Sequence, residues 1–127
     1  MPARIVLGLS AAIWLPYGLY CFFAPEVLAA IAGVASDSTT GSIELRAMYG
    51  GLQLSIGALA LAGLLRASLR RPALIALAFL CGGLFLARSA GAVLEGELSG
   101  YTASGLVFEI SSAGLAVWLL GREPALA

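Results

Sequence analysis

Four long apolar runs divide the chain, over residues 5–23, 43–65, 73–94 and 101–120. Each approaches the roughly twenty residues that carry a helix across the hydrocarbon of a bilayer. The pattern predicts one all-α domain over residues 1–127, an integral membrane four-helix bundle. Within the second run, polar and small residues return at steps of three and four, the helical period. Arg46, Tyr49, Gly50, Gln53, Gly57 and Ala60 share one face, while Glu44, Ala47, Gly51, Ser55 and Ala62 form a stripe nearly opposite. Leu54, Leu61 and Leu65 leave an aliphatic side for lipid. Two small or polar faces on one helix predict packing on two sides.

The other runs carry their own patterns. In the first, Ser10, Trp14, Tyr17 and Cys21 align on one face, a stripe fit to line a bundle interior or simply to pack its aromatics. Pro16 falls inside this run and deprives the Ala12 carbonyl of its amide partner, which predicts a kink. Ala30-Ile31-Ala32 resembles a signal-peptide cleavage site, but the preceding run exceeds the about 7–15 apolar residues of a signal core. The long connection over residues 24–42 contains a short interfacial helix. Pro25 suits its first position, Glu26 favours its N-terminus, and Val27, Leu28, Ile31 and Val34 make its apolar side. Ser42 is the predicted cap of the next helix, and Glu44 in the first turn stabilises that end through the helix dipole. In the third run, Gly83, Ala87 and Gly91 give a small-xxx-small face for close backbone approach. Tyr101 and Trp118 sit near the two ends of the fourth, where an aromatic belt belongs.

Composition agrees with the pattern. Hydrophobic residues make up 61% of the chain and charged ones 11%, well below the about 25% of a soluble domain. The net charge is zero and no basic surface exists for nucleic acid. The sequence has no histidine, which removes the commonest metal and haem ligand and the usual general base. Cys21 and Cys81 form no CxxC pair, and the helix assignments put them at different depths, so neither a disulfide nor a metal site is expected. No cofactor is implied.

Charge is distributed one-sidedly. Arg4, Arg66, Arg70, Arg71 and Arg122 fall on one surface after four crossings, and Glu26, Asp37, Glu95 and Glu97 on the other. By the positive-inside rule both termini are cytoplasmic. Among the charges inside the membrane are Arg88, six residues from the outer end of the third helix, and Glu109, eight residues past the start of the fourth. Both lie about 10 Å deep at 1.5 Å per residue, and an antiparallel hairpin brings them level. A salt bridge is the economical arrangement, because an unpaired charge near mid-bilayer costs roughly 3 kcal/mol or more. Arg46, Tyr49 and Gln53 bracket the same depth on the second helix.

These residues carry a resemblance that extends over nearly the whole chain. Ala24-Pro25-Glu26, the Glu44-Leu45-Arg46-Ala47-Met48-Tyr49-Gly50-Gly51 segment, Ala87-Arg88 followed by Gly91, Leu94-Glu95-Gly96 and Glu109 resemble the small four-helix bacterial membrane proteins of domain-of-unknown-function family 4345. The family more often shows an aspartate where Glu95 stands. The resemblance implies four helices and a bacterial inner-membrane location, and it supplies no substrate.

Function divides into three classes. A binding or transport protein would use Arg46, Tyr49, Gln53, Arg88 and Glu109 as a polar pocket for a small amphiphilic or anionic ligand, with Glu109 as a proton-linked carboxylate. An accessory subunit of a membrane complex, or a homo-oligomer, would present the Glu44, Gly51, Ser55 face to another chain and use the buried charges for helix register. Enzymatic function ranks last, because no nucleophile and base stand at a recognisable spacing.

Overall fold

A computed structural model describes residues 1–123. The single-domain reading extends to residue 127, and positions 124–127 lie outside the described residues. The fold is all-α: α1 (Pro2–Phe23), a short α2 (Val27–Ala32), α3 (Thr39–Leu65), α4 (Ala67–Glu95) and α5 (Gly100–Leu120). The four long helices are each long and apolar enough to cross a membrane. Connections alternate between two ends of the bundle. The end with Arg4, Arg66, Arg70, Arg71 and Arg122 is termed the arginine end; the opposite one, with Glu26, Asp37, Glu95 and Glu97, the acidic end.

The helices exceed their predicted spans, for local reasons. Pro2 occupies the first turn of α1, where its missing N–H costs nothing. The helix continues through Pro16, which is exposed on its outer surface. The cap of α3 is Ser38 and not Ser42: the Ser38 hydroxyl accepts from the Gly41 amide at 3.0 Å, and Ser42 lies a turn inside. The arginine-rich segment before Pro72 is no loop. It forms the first turns of α4, and the link from α3 is the single extended residue Arg66 (φ −121°, ψ 120°). Pro72 lies within the helix and leaves the carbonyl of Ser68 without its amide, a cost limited by Ser68 being exposed. In α2, Leu28 is fully buried but Ile31 turns outward. Left-handed backbone ends α2 at Gly33 (φ 68°) and α4 at Gly96 (φ 67°), the conformation that glycine adopts without strain.

One departure from regular geometry changes the faces of α3. Residues Arg46–Gly51 form a π-helical turn, with the Leu52 amide reaching back five residues to the Ala47 carbonyl. The wider turn puts the stripes on its two sides out of step. Leu54, predicted to face lipid, instead packs on α1, where a Cβ on Gly18 would meet its backbone N at 2.7 Å. Gly50 lies against Phe22 and Gly57 against Leu15, so α1 and α3 approach through glycines. Glu44 and Ser55, on the opposite stripe, stay exposed. The Gly83, Ala87, Gly91 face of α4 is likewise unpacked: added Cβ atoms at Gly83 and Gly91 would meet nothing within 4 Å.

The hydrophobic core occupies the arginine half. Leu7, Ala11, Ile56, Ala60, Ala73, Leu74, Leu77, Ala116 and Leu119 form it, and a Cβ on Gly63 would lie 2.8 Å from that of Ala73. The one-residue link clamps α3 to α4 at this end. Arg71 fastens α5 by donating from Nη1 to the Leu120 carbonyl at 3.0 Å, satisfying an orphan acceptor of the last turn. The link and Arg71 therefore join α3, α4 and α5 at the arginine end, while the Gly18–Leu54 and Gly50–Phe22 contacts hold α1 to α3 toward the acidic end.

Candidate functional site

The unfilled space between the two helix pairs is a cavity of about 660 Å³, walled by all four long helices. Within it, Arg88 and Glu109 form an ion pair. Arg88 Nε donates to both carboxylate oxygens at 3.0 and 3.1 Å, and Nη2 donates to Oε1 at 2.7 Å. The Glu109 side chain is 4% exposed and that of Arg88 27%, so the acid is the member sealed from solvent. The antiparallel hairpin brings together two residues whose midpoint in sequence is the α4–α5 connection. Tyr101 lies beside the guanidinium, its ring centroid 5.8 Å from Cζ.

A glycine one turn from Glu109 makes this geometry possible. A Cβ on Gly105 would lie 2.9 Å from Arg88 Nε and 3.1 Å from Cζ, so the guanidinium rests on bare α5 backbone. Sequence reasoning overlooked Gly105. Its signal was present nonetheless: a glycine four residues before a buried acid, on the same face and level with an arginine of the facing helix.

Of the five residues predicted to cluster, four line the cavity: Tyr49 and Gln53 from α3, Arg88 from α4 and Glu109 from α5. The fifth, Arg46, turns away. Its Nη1 donates to the Phe22 carbonyl, an orphan acceptor in the last turn of α1, and its side chain lines a separate pocket with Glu26 and Ser36. Gln53 brings a notable feature: its Oε1 is buried and has no hydrogen-bond partner among the described residues. Gln53 lines the cavity, but this oxygen is sealed from it, so the unpaired acceptor is a local packing cost and not a contact offered to a guest.

The cavity is graded along the bundle axis. Tyr17, Met48, Tyr49, Arg88, Tyr101 and Ser104 face it toward the acidic end, whereas Ile13, Trp14, Leu52, Leu84 and Phe108 line its deeper part together with Gln53 and Glu109. Trp14 and Phe108 meet edge to face at 5.6 Å, joining α1 to α5 across the floor. Ile13, Met48 and Leu52 remain substantially exposed on the bundle surface, so the wall there faces the surroundings of the helices. Arg88 also borders a groove of about 320 Å³ with Glu95, Glu97, Ser99 and Thr102 at the acidic end. Its guanidinium thus divides a polar surface groove from the interior. Cys21 and Cys81 are free and buried, and among the described residues no group of histidine, cysteine and acidic side chains is arranged to hold a metal.

A family model described as a domain of unknown function matches residues 2–120. The chain belongs to the DUF4345 family. The match takes in all four long helices and every residue of the cavity wall. Comparison with curated proteins and with solved structures finds no match.

Proposed function

We propose that this DUF4345 chain is a non-catalytic, multi-pass protein of the bacterial inner membrane that binds or transports a small amphiphile in the cavity between its helix pairs. The observation that carries the reading is the cavity itself. A device serving only helix register would be filled by side chains, whereas Gly105 and the divergence of the helix pairs leave about 660 Å³ around the Arg88–Glu109 pair. That volume falls within the usual range of ligand pockets, and its mixture of aromatic walls with a few convergent polar groups is typical of them. The arginine distribution supports an orientation with both termini in the cytoplasm and the acidic end outside.

Native mass spectrometry of protein extracted from membranes, paired with thermal unfolding against a panel of lipid-like carboxylates, amides, alcohols and ketones, tests the reading. A retained small molecule or a saturable rise in unfolding temperature that Trp14→Ala weakens supports it. An empty protein that no panel member stabilises refutes it.

The accessory-subunit reading rests on a different surface. Glu44 and Ser55 are exposed on α3 and the Gly83–Ala87–Gly91 face of α4 is uncovered, leaving two small-residue faces open to another chain or a second copy. The same mass spectra distinguish this reading, through an adduct of protein mass in place of a small one.

A further inference from the structure

A second, smaller pocket lies between α2, with the loop behind it, and the start of α3. Its volume is about 200 Å³, and Ala29, Val34 and Leu45 give it an apolar wall. The hydrogen bond from Arg46 to the Phe22 carbonyl fixes its depth: Arg46 stands level with the last turn of α1, and α3 begins well before it, at Thr39. Tyr20 and Phe23 are exposed at that end of α1, where aromatic side chains mark the boundary of a bilayer and lipid head groups lie.

Two opposite charges border this pocket without meeting. Glu26 and Arg46 both line it, and among the described residues no ion pair joins them. Arg46 Nη1 is committed to Phe22, but Nε and Nη2 have no partner among the described residues, and neither is sealed from a guest. The same holds for the Ser42 hydroxyl, and Glu26 is exposed. One pocket thus offers donors suited to an anionic oxygen and a carboxylate suited to a cation, all of them accessible.

From this juxtaposition we infer that the pocket binds the phosphoethanolamine head of a membrane lipid, with the phosphodiester on Arg46 and Ser42 and the primary ammonium on Glu26. The inference shares with the proposed function only the membrane-spanning arrangement and makes no use of the central cavity. An anionic head would gain the guanidinium but would also meet the Glu26 carboxylate, whereas a zwitterion complements both charges. A quaternary ammonium keeps its charge but has no N–H to donate. At about 30 Å³ per water-sized group the pocket holds roughly seven such groups, the size of a phosphate with its aminoethyl arm and too little for three further methyls. Lipid is the source because a head anchored in the leaflet at this level reaches the pocket at high effective concentration.

Native mass spectrometry tests this on the full chain, delipidated in a mild detergent and mixed with equimolar lipids of identical acyl chains. The heads compared are phosphoethanolamine, its mono-, di- and trimethylated forms, and phosphoglycerol. The ethanolamine head is expected to be retained about tenfold over the trimethylated and the phosphoglycerol heads, the loss of one charge-assisted hydrogen bond, with the partly methylated heads between. Arg46→Gln and Glu26→Gln should each lower its retention, and Glu26→Gln should let phosphoglycerol overtake it, a reversal that general loss of structure does not produce. A trimethylated or phosphoglycerol head retained as well as the ethanolamine head by the unaltered protein, or a ranking that Glu26→Gln does not move, overturns the inference. Soluble glycerophosphoethanolamine displacing the lipid at equal concentration overturns the lipid as source. Either failure leaves the central cavity untouched, since its guests are read by the thermal panel. Should Glu26→Gln fail to fold, the methylation series on the unaltered protein decides.

Discussion

Replacing Arg88 by methionine keeps much of the side-chain volume and removes the charge, leaving the Glu109 carboxylate at 4% exposure with no cation. Breaking a buried pair in this way costs about 3–5 kcal/mol, because the stranded charge keeps its desolvation penalty and loses its partner. Glu109→Gln is a gentler change. The amide oxygen still accepts from Arg88, and at 27% exposure the guanidinium recovers hydration through the groove at the acidic end. Its cost is expected near 1–2 kcal/mol, that of converting charge-assisted hydrogen bonds to neutral ones. The two effects do not add. With glutamine at position 109, Arg88→Met no longer strands a charge, so the double variant is more stable than the sum of the single losses by about 1–3 kcal/mol. Reversible unfolding in mixed micelles of a mild detergent and dodecyl sulfate measures all four corners of the cycle. Additivity within about 0.5 kcal/mol, or Glu109→Gln costing more than Arg88→Met, refutes both the pairing and the assignment of the acid as the sealed partner.

Further expectations follow from the same geometry. Gly105→Leu drives a side chain into the space 2.9 Å from Arg88 Nε, and should destabilise the protein by about 1–3 kcal/mol and abolish ligand-dependent stabilisation in the thermal assay. Gly57→Ala places a methyl 2.8 Å from the Leu15 backbone N, which cannot move aside, and should cost about 1–3 kcal/mol, whereas Gly82→Ala meets open space and should gain up to about 1 kcal/mol of helix propensity. Unfolding curves giving the two alanine variants equal stability would disprove the glycine-mediated packing of α1 on α3. In a background with Cys21 and Cys81 changed to alanine, Asp37→Cys should react with an impermeant thiol reagent added outside intact cells and Ala67→Cys should not; the reverse pattern inverts the orientation.

Helix number, order and the Arg88–Glu109 pairing were legible because each rests on one strong regularity: about twenty apolar residues per crossing, and the equal depth of two charges across a hairpin. What escaped notice turns on local backbone geometry. A strict 3.6-residue period carried Arg46 onto the face of Tyr49 and Gln53, but the π turn at Arg46–Gly51 inserts an extra residue between Arg46 and the regular helix that carries Gln53. Arg46 is then left where the last turn of α1 needs a donor, and Leu54 where Gly18 needs a neighbour. The early start of α4 escaped because Pro72 reads as a helix boundary, while its position near an exposed end makes the lost hydrogen bond tolerable. Gly83, Ala87 and Gly91 carry a packing signature, yet among the described residues nothing lies within 4 Å of an added Cβ at Gly83 or Gly91.

The coincidence of the polar cluster with the loosely packed half has a physical basis. Aliphatic side chains form the core of the arginine half, Arg71 is satisfied there by the end of α5, and a one-residue link holds α3 against α4. An ion pair cannot join such a core without leaving further donors unpaired: Arg88 has five N–H groups to satisfy and Glu109 occupies only part of them. Closing the acidic half around the pair would bury Nη1 without a partner, at a cost of about 1–3 kcal/mol. Keeping the half open, with the guanidinium beside the groove, lets water or a polar guest satisfy that donor. The open cavity therefore spares the guanidinium a buried, unpaired donor.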